Sequence, residues 1–215
     1  MKALVTGGGG FLGNAIVDLL LSRGDEVQSI SRSSYAELEA KGVTCFQADL
    51  AKETSPDGAL ARAVAGCDVV FHVAAKAGVW GKYGDFLSAN VDATRNVIEA
   101  ALRAGVPRFI HTSSPSVCFT GEDEVDASND LPFAEQHLCA YSETKAMAER
   151  LALTANGKAM AVCALRPHLI FGPGDPHILP RLLDRARSGR LRMVGLGSNE
   201  VTLTYVDNAA HAHVL

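Results

Sequence analysis

The chain has 215 residues, 47% of them hydrophobic and 20% charged, with a formal net charge of −4. That length and mixture suit one α/β domain with a sizeable core, and an acidic chain lacks the basic face that displaces counterions from nucleic-acid phosphates. Apolar runs such as Ala15-Ile16-Val17 fall far short of the ~18 residues that span a bilayer. The expectation is a cytoplasmic protein with neither a membrane nor a nucleic-acid partner, and no secretory segment ahead of a first strand near Lys2.

Short, nearly continuous apolar runs occur at Ala3–Val5, Val27–Ile30, Val43–Phe46, Val69–Val73, Phe109–Ile110 and Ala161–Leu165. Between them, helical spacing runs over Phe11–Arg23, Pro56–Ala65, Phe86–Ala104 and Tyr141–Ala155. Strands that are apolar throughout are buried on both faces, so the pattern predicts an α/β fold with a doubly wound parallel sheet. Arg23-Gly24, and Ala104-Gly105 with Pro107 just beyond, are helix stops. After Pro167 the stretch "HLIFGPGDPHILP" breaks the rhythm. A short helix at Arg181–Ser188, a strand pair around Leu191–Val194 and Val201–Tyr205, and a helix from Asp207 are expected there. The resulting division is a dinucleotide-binding domain over 1–166, then a partial substrate lobe with returning segments over 167–215.

The first loop, "TGGGGFLG", follows a strand and opens a helix, the place where such a sheet binds a dinucleotide. Gly7 permits the tight turn, Gly10 lets a pyrophosphate approach, and Gly13 lets helix and strand pack closely, with Phe11 and Leu12 between them. The helix N-terminus offers N–H groups and partial positive charge. Gly8 and Gly9 read as spare positions tolerant of other small residues. At the end of the second strand stand Ser31 and Arg32, with no carboxylate to accept from a ribose 2′-hydroxyl and a guanidinium able to pair a 2′-phosphate. NADP(H) is therefore the expected cofactor and NAD the second option. Asp49, with Leu50 after it, falls where the third strand reaches the adenine edge.

"YSETK" places Tyr141 and Lys145 at i and i+4, on one helix face. An ammonium beside a phenol favours phenolate and lowers its pKa from about 10, giving a proton donor and acceptor near neutrality. The fifth strand ends in "FIHTSSPSV", where Thr112, Ser113 and Ser114 offer hydroxyls at the ligand-binding edge. The five cysteines (Cys45, Cys67, Cys118, Cys139, Cys163) have no metal-ligand spacing and read as small core residues, so no metal is expected. His72 and His111 read as hydrogen-bonded structural histidines.

These stretches, together with "DVVFHVAA", "ANVDATRNVIEAA", "LRPHLIFGPGD" and "TYVDNAAHAHVL", stand in an order and spacing that resemble the extended short-chain dehydrogenase/reductase family over essentially the whole chain. The resemblance implies Ser114, Tyr141 and Lys145 as the catalytic set, with Lys145 also on the nicotinamide ribose and Asn90 supporting an active-site water. It further implies that Ala74, Ala75 and Lys76 line the cofactor, and that Pro167 and His168 form the turn beside the nicotinamide amide. Within the family, "AAKAGVWGKY" and "TSSPSVCF" look most like the group of 3β-hydroxysteroid dehydrogenases and bacterial 2-alkyl-3-oxoalkanoate reductases. That implies NADPH-dependent reduction of an apolar β-keto acid, a small-molecule substrate near Trp80 and Tyr83, and a homodimer paired through Phe86–Ala104 and Tyr141–Ala155. Similar proteins are longer, so cofactor binding is expected of these 215 residues and efficient turnover of a longer chain. Alternatives within the scaffold are sterol dehydrogenases and sugar-nucleotide epimerases or dehydratases; outside catalysis, an NADP-binding sensor, which typically lacks the tyrosine or the lysine.

Overall fold

The structure is a computed structural model and describes residues 1–176, 178–193 and 195–215. Six parallel strands, β1 (Lys2–Thr6), β2 (Glu26–Ser31), β3 (Thr44–Gln47), β4 (Val69–His72), β5 (Arg108–Thr112) and β6 (Ala161–Leu165), form one sheet in the order β3-β2-β1-β4-β5-β6. This is the doubly wound arrangement expected. Its strand order reverses between β1 and β4, which opens a crevice at the carboxyl ends of those strands.

Both faces of the sheet are covered, which is why its strands carry no polar alternation. On β1, Ala3 and Val5 face one core with Val69 and Phe71, while Leu4 faces the other with Val70 and Phe109. The first core is closed by α1 (Phe11–Ser22), whose Leu12, Ile16, Val17 and Leu20 are buried, and by Ala209 and Ala210 of the last helix. Burying such aliphatic side chains stabilises the fold by roughly 1.5–3 kcal/mol each. The second core is closed by α3 (Ala59–Val64), α5 (Ala93–Arg103) and α6 (Ala140–Thr154). Helix α1 stops at Gly24, whose φ of 76° lets Asp25 N–H reach Leu20 O at 3.1 Å, and Gly105 with φ 69° closes α5 the same way.

The structure departs from the expected elements in four places. A short α2 (Ala36–Ala40) follows β2. The helix expected at Phe86–Ala104 is a composite: α4 (Tyr83–Phe86), a π-helical segment Leu87–Asp92, then α5. Beyond β6, α7 (Ile178–Arg187) starts earlier than the Arg181 expected. The strand pair also differs: Leu191, Arg192 and Met193 are not in a strand, and Val194 lies outside the described residues. Instead β7 (Ile170–Phe171) pairs in parallel with β8 (Thr204–Tyr205), ahead of α8 (Val206–Val214). Two-residue strands are too short to leave a periodic signal.

Candidate active site

The glycine loop lies at the crevice. Gly7 has φ 70°, and a Cβ there would come within 3.1 Å of the Ala74 backbone. At Gly13 a Cβ would lie 2.2 Å from the Gly7 carbonyl oxygen, so no other residue fits without moving the turn. Gly10 caps α1 with extended backbone, and no side chain closes that helix end, leaving N–H groups directed at the crevice. Gly8 and Gly9 are not spare positions. A Cβ on Gly8 would meet the buried Ser29 Oγ at 2.5 Å, and one on Gly9 would sit 2.4 Å from the Tyr35 ring.

A cleft of about 1840 Å³ among the described residues runs from this loop across the sheet edge. It is lined by Gly7, Gly10, Phe11, Leu12 and Gly13, by Ser31, Arg32, Asp49 and Leu50, and by Ala74, Ala75, Thr112, Ser114, Tyr141, Lys145, Pro167 and His168. At its β2 end the Ser31 hydroxyl is buried with no hydrogen-bond partner, and the Arg32 carbonyl is held by the Gln47 amide at 2.9 Å. An orphaned hydroxyl, a loop a Cβ would fill and an open helix N-terminus fit a phosphate-bearing nucleotide.

At the other end, Lys145 is buried and donates to the Thr112 carbonyl at 2.6 Å. Burial pulls its pKa down to about 8, opposed by the Glu149 carboxylate one turn on. Ser114 Oγ accepts from the Ser116 hydroxyl at 2.9 Å and from the Ser116 N–H at 3.3 Å. Its own proton is left to face the Tyr141 phenol, whose pKa this hydroxyl holds down. The phenol pKa is raised, not lowered as expected. Burial outweighs the Ser114 hydrogen bond, and the Lys145 charge, spent on Thr112, is not among the groups acting on it.

Four of the expected site residues do not line the cleft. Trp80 is 90% exposed, and Tyr83 points away, its hydroxyl donating to Glu143 at 3.1 Å on the outer side of α6. Their neighbour Val79 reaches the cleft instead. Lys76 directs its ammonium to Asp85 at 3.7 Å and over the Phe86 ring. Asn90, in the π-helical segment, is 1% exposed and outside the lining; its amide bridges Lys76 N–H (2.7 Å), Lys76 O (3.2 Å) and Thr144 Oγ1 (3.0 Å). Cys67 and Cys118 are buried as expected of core residues, but Cys45 and Cys139 are half-buried and Cys163 exposed, and Cys118, Cys139 and Cys163 border the cleft. His72 is hydrogen-bonded through both nitrogens, whereas neither nitrogen of the buried His111 has a partner.

Sequence reasoning missed the support beneath the cleft. Glu149 is 2% exposed; it accepts from the Ser113 hydroxyl and from Arg166 Nη2 at 2.6 Å and Nε at 3.0 Å. Arg166 also donates to Cys118 Sγ at 2.9 Å and lies over the Phe133 ring. The usable signal was Glu149 at i+4 from Lys145, a carboxylate on the buried face of α6 that requires a cation.

A model of the 3-beta hydroxysteroid dehydrogenase/isomerase family matches residues 4–215. Among curated relatives, 2-alkyl-3-oxoalkanoate reductase of Stenotrophomonas maltophilia is 49% identical over 100% of this chain and 64% of its own length. The protein of the same name from Shewanella oneidensis is 46% identical over 99% of this chain and 56% of its own length. The human sterol-4-alpha-carboxylate 3-dehydrogenase, decarboxylating, is 38% identical over 100% and 57%. The chain thus spans about three fifths of the length of the curated relatives it matches. Among solved structures, UDP-glucuronic acid 4-epimerase from Bacillus cereus in complex with NAD superposes with a TM-score of 0.84 at 27% identity, over 100% of this chain and 72% of that one. MoeE5 in complex with UDP-glucose and NAD gives 0.83 at 31% identity, over 100% and 71%. By its sequence, its sheet and its glycine cradle, the chain belongs to the 3-beta hydroxysteroid dehydrogenase/isomerase family of extended short-chain dehydrogenase/reductases.

Proposed function

We propose that this polypeptide is an NADP(H)-dependent reductase that converts the ketone of an apolar β-keto acid, of the 2-alkyl-3-oxoalkanoate kind, to a hydroxyl. The observation that carries the reading is the meeting of Ser114, Tyr141 and Lys145 on one cleft with the glycine loop and Arg32. Relatives of that name at 49% and 46% identity support the substrate class. Gly7, Gly10 and Gly13 cradle the pyrophosphate, Ser31 and Arg32 meet the 2′-phosphate, and Lys145 turns its remaining donors to the nicotinamide ribose. The bound nucleotide supplies a hydride to the carbonyl carbon.

Ser114 Oγ and Tyr141 Oη hold the carbonyl oxygen, and Tyr141 gives it a proton as negative charge develops there. Its raised pKa keeps that proton in place at neutral pH. Lys145, which donates to the Thr112 carbonyl in the structure, favours the phenolate left behind once its ammonium turns toward Tyr141. Residues 1–166 form the nucleotide-binding domain and 167–215 a partial substrate lobe with returning segments, among them α8, whose Ala209 and Ala210 pack back into the first core. A homodimer would use α5 and α6, whose outward sides leave Leu102 and Met147 exposed.

Fluorescence titration tests the cofactor. NADPH should bind tighter than NADH by roughly ten- to a hundredfold, the worth of one charge-assisted hydrogen bond. Arg32→Ala should remove most of that difference, and equal affinities in the unmodified protein would sink the preference. NADPH consumption against β-keto acids, 3-ketosteroids and nucleotide sugars reads the substrate class; turnover of a nucleotide sugar in preference to the keto acids would overturn it.

A further inference from the structure

The nucleotide of that reading rests on the loop after β4, which the pocket lining includes through Val73, Ala74 and Ala75. Under this loop runs a line of buried polar groups that none of the catalytic steps uses. Thr6, His72, Asn90, Thr94 and Thr144 are each 0–1% exposed. Thr6 Oγ1 accepts from Val73 N–H and Ala74 N–H, both at 3.1 Å, so its single proton points at His72 Nδ1, 2.9 Å away. The imidazole therefore carries its proton on Nε2, which donates to Thr94 Oγ1 at 2.8 Å. Thr94 in turn donates to the Asn90 carbonyl at 2.5 Å. The Asn90 amide then holds Lys76 through both its backbone groups and reaches Thr144 Oγ1, which donates to the Ala140 carbonyl at 2.7 Å, next to Tyr141.

We propose that His72 is a positioning residue: with Thr6 and Thr94 it forms a strut of fixed hydrogen-bond direction that holds the loop after β4 against the first turn of α6, and so sets the nucleotide floor relative to Tyr141. The protons of Thr6, His72 and Thr94 each have one place to go, and that of Thr144 goes to the Ala140 carbonyl at 2.7 Å, with the Tyr141 carbonyl at 3.2 Å. Thr6 and Thr94 each supply the one partner of an imidazole nitrogen, so removing either hydroxyl leaves His72 with an unmet group in a dry interior. The imidazole stays neutral, since burial, seconded by the Lys145 charge, pulls its pKa down to about 3. The π-helical segment places Asn90 with its carbonyl toward Thr94 and its amide toward Lys76 and Thr144. Segments of this kind recur at functional sites. A residue kept only for packing would tie neighbours on its own two elements; this line joins β1, β4, the π-helical segment, α5 and α6.

The floor's role rests on the proposed nucleotide binding, but the strut does not. Thr94→Val removes the hydroxyl and keeps the shape, while Thr94→Ser keeps the hydroxyl. Hydrogen exchange without nucleotide should rise about fivefold or more in Thr94→Val, at both 73–77 and 140–145, and stay near the unmodified rate in Thr94→Ser. NADPH affinity should fall by about the same factor in the valine variant only. Exchange that rises within 93–103 alone, or a serine variant as loose as the valine one, overturns the strut. Should Thr94→Val not fold, Thr144→Val breaks the far end with His72 still seated, and faster exchange at 73–77 is again required. An unmodified protein that binds no NADPH refutes the functional reading and the floor's role with it, while exchange still decides the strut.

Discussion

Replacing Tyr141 with Phe should lower the rate of ketone reduction by about 10²–10⁴-fold, the usual worth of a positioned general acid, while leaving NADPH affinity near that of the unmodified protein. The phenol ring fills the same space without its hydroxyl, so the cleft wall and the Lys145–Thr112 bond persist. Single-turnover NADPH oxidation measures the rate, and fluorescence titration the affinity. A variant that keeps its rate removes Tyr141 from the chemistry. The unmodified enzyme should also lose activity as pH rises through about 8, where Lys145 gives up its charge. The sign follows from the roles: reduction needs the phenol protonated, which its raised pKa ensures over this range, and needs the ammonium to support the phenolate that forms. A rate that instead rises through pH 8 would mean that neutral Lys145 is the active form.

The sheet was legible because burial on both faces writes itself as unbroken apolar runs, and helix stops because Gly24 and Gly105 take positive φ. The grouping of the glycine loop, Ser31, Arg32, Ser114, Tyr141 and Lys145 on one cleft was legible too, since each sits at the carboxyl end of a strand or in the first two turns of the helix after it. Features set by tertiary packing were not. Whether Trp80 and Tyr83 face the cleft depends on how α4 leans on α6, and Tyr83 is turned outward by Glu143, 60 residues away in sequence. Gly8 reads as spare until Ser29 of β2 is found against it. The shift at Tyr141 could not be read from spacing, because i,i+4 placement does not reveal that Lys145 points its charge at the end of β5.

Glu149 and Arg166 were missed because charged residues are assigned to surfaces by default, and removing the arginine should have the largest effect on stability. Arg166→Met leaves a carboxylate that is 3% exposed without its cation. Breaking a buried pair from one side costs about 3–5 kcal/mol, because the remaining charge stays desolvated, against a total stability of roughly 5–15 kcal/mol. The double variant Glu149→Gln, Arg166→Met should recover much of that loss in urea unfolding, since a neutral amide still accepts from Ser113 and tolerates the apolar neighbour. Additive losses would mean that packing of Arg166 on Phe133, and not charge pairing, is what the arginine provides. The pair also bears on the chemistry, because the Glu149 charge holds the Lys145 pKa up against burial. In Glu149→Gln the alkaline fall in rate should therefore move below the pH near 8 of the unmodified enzyme. An unmoved profile would confine Glu149 to holding β5 and α6 together.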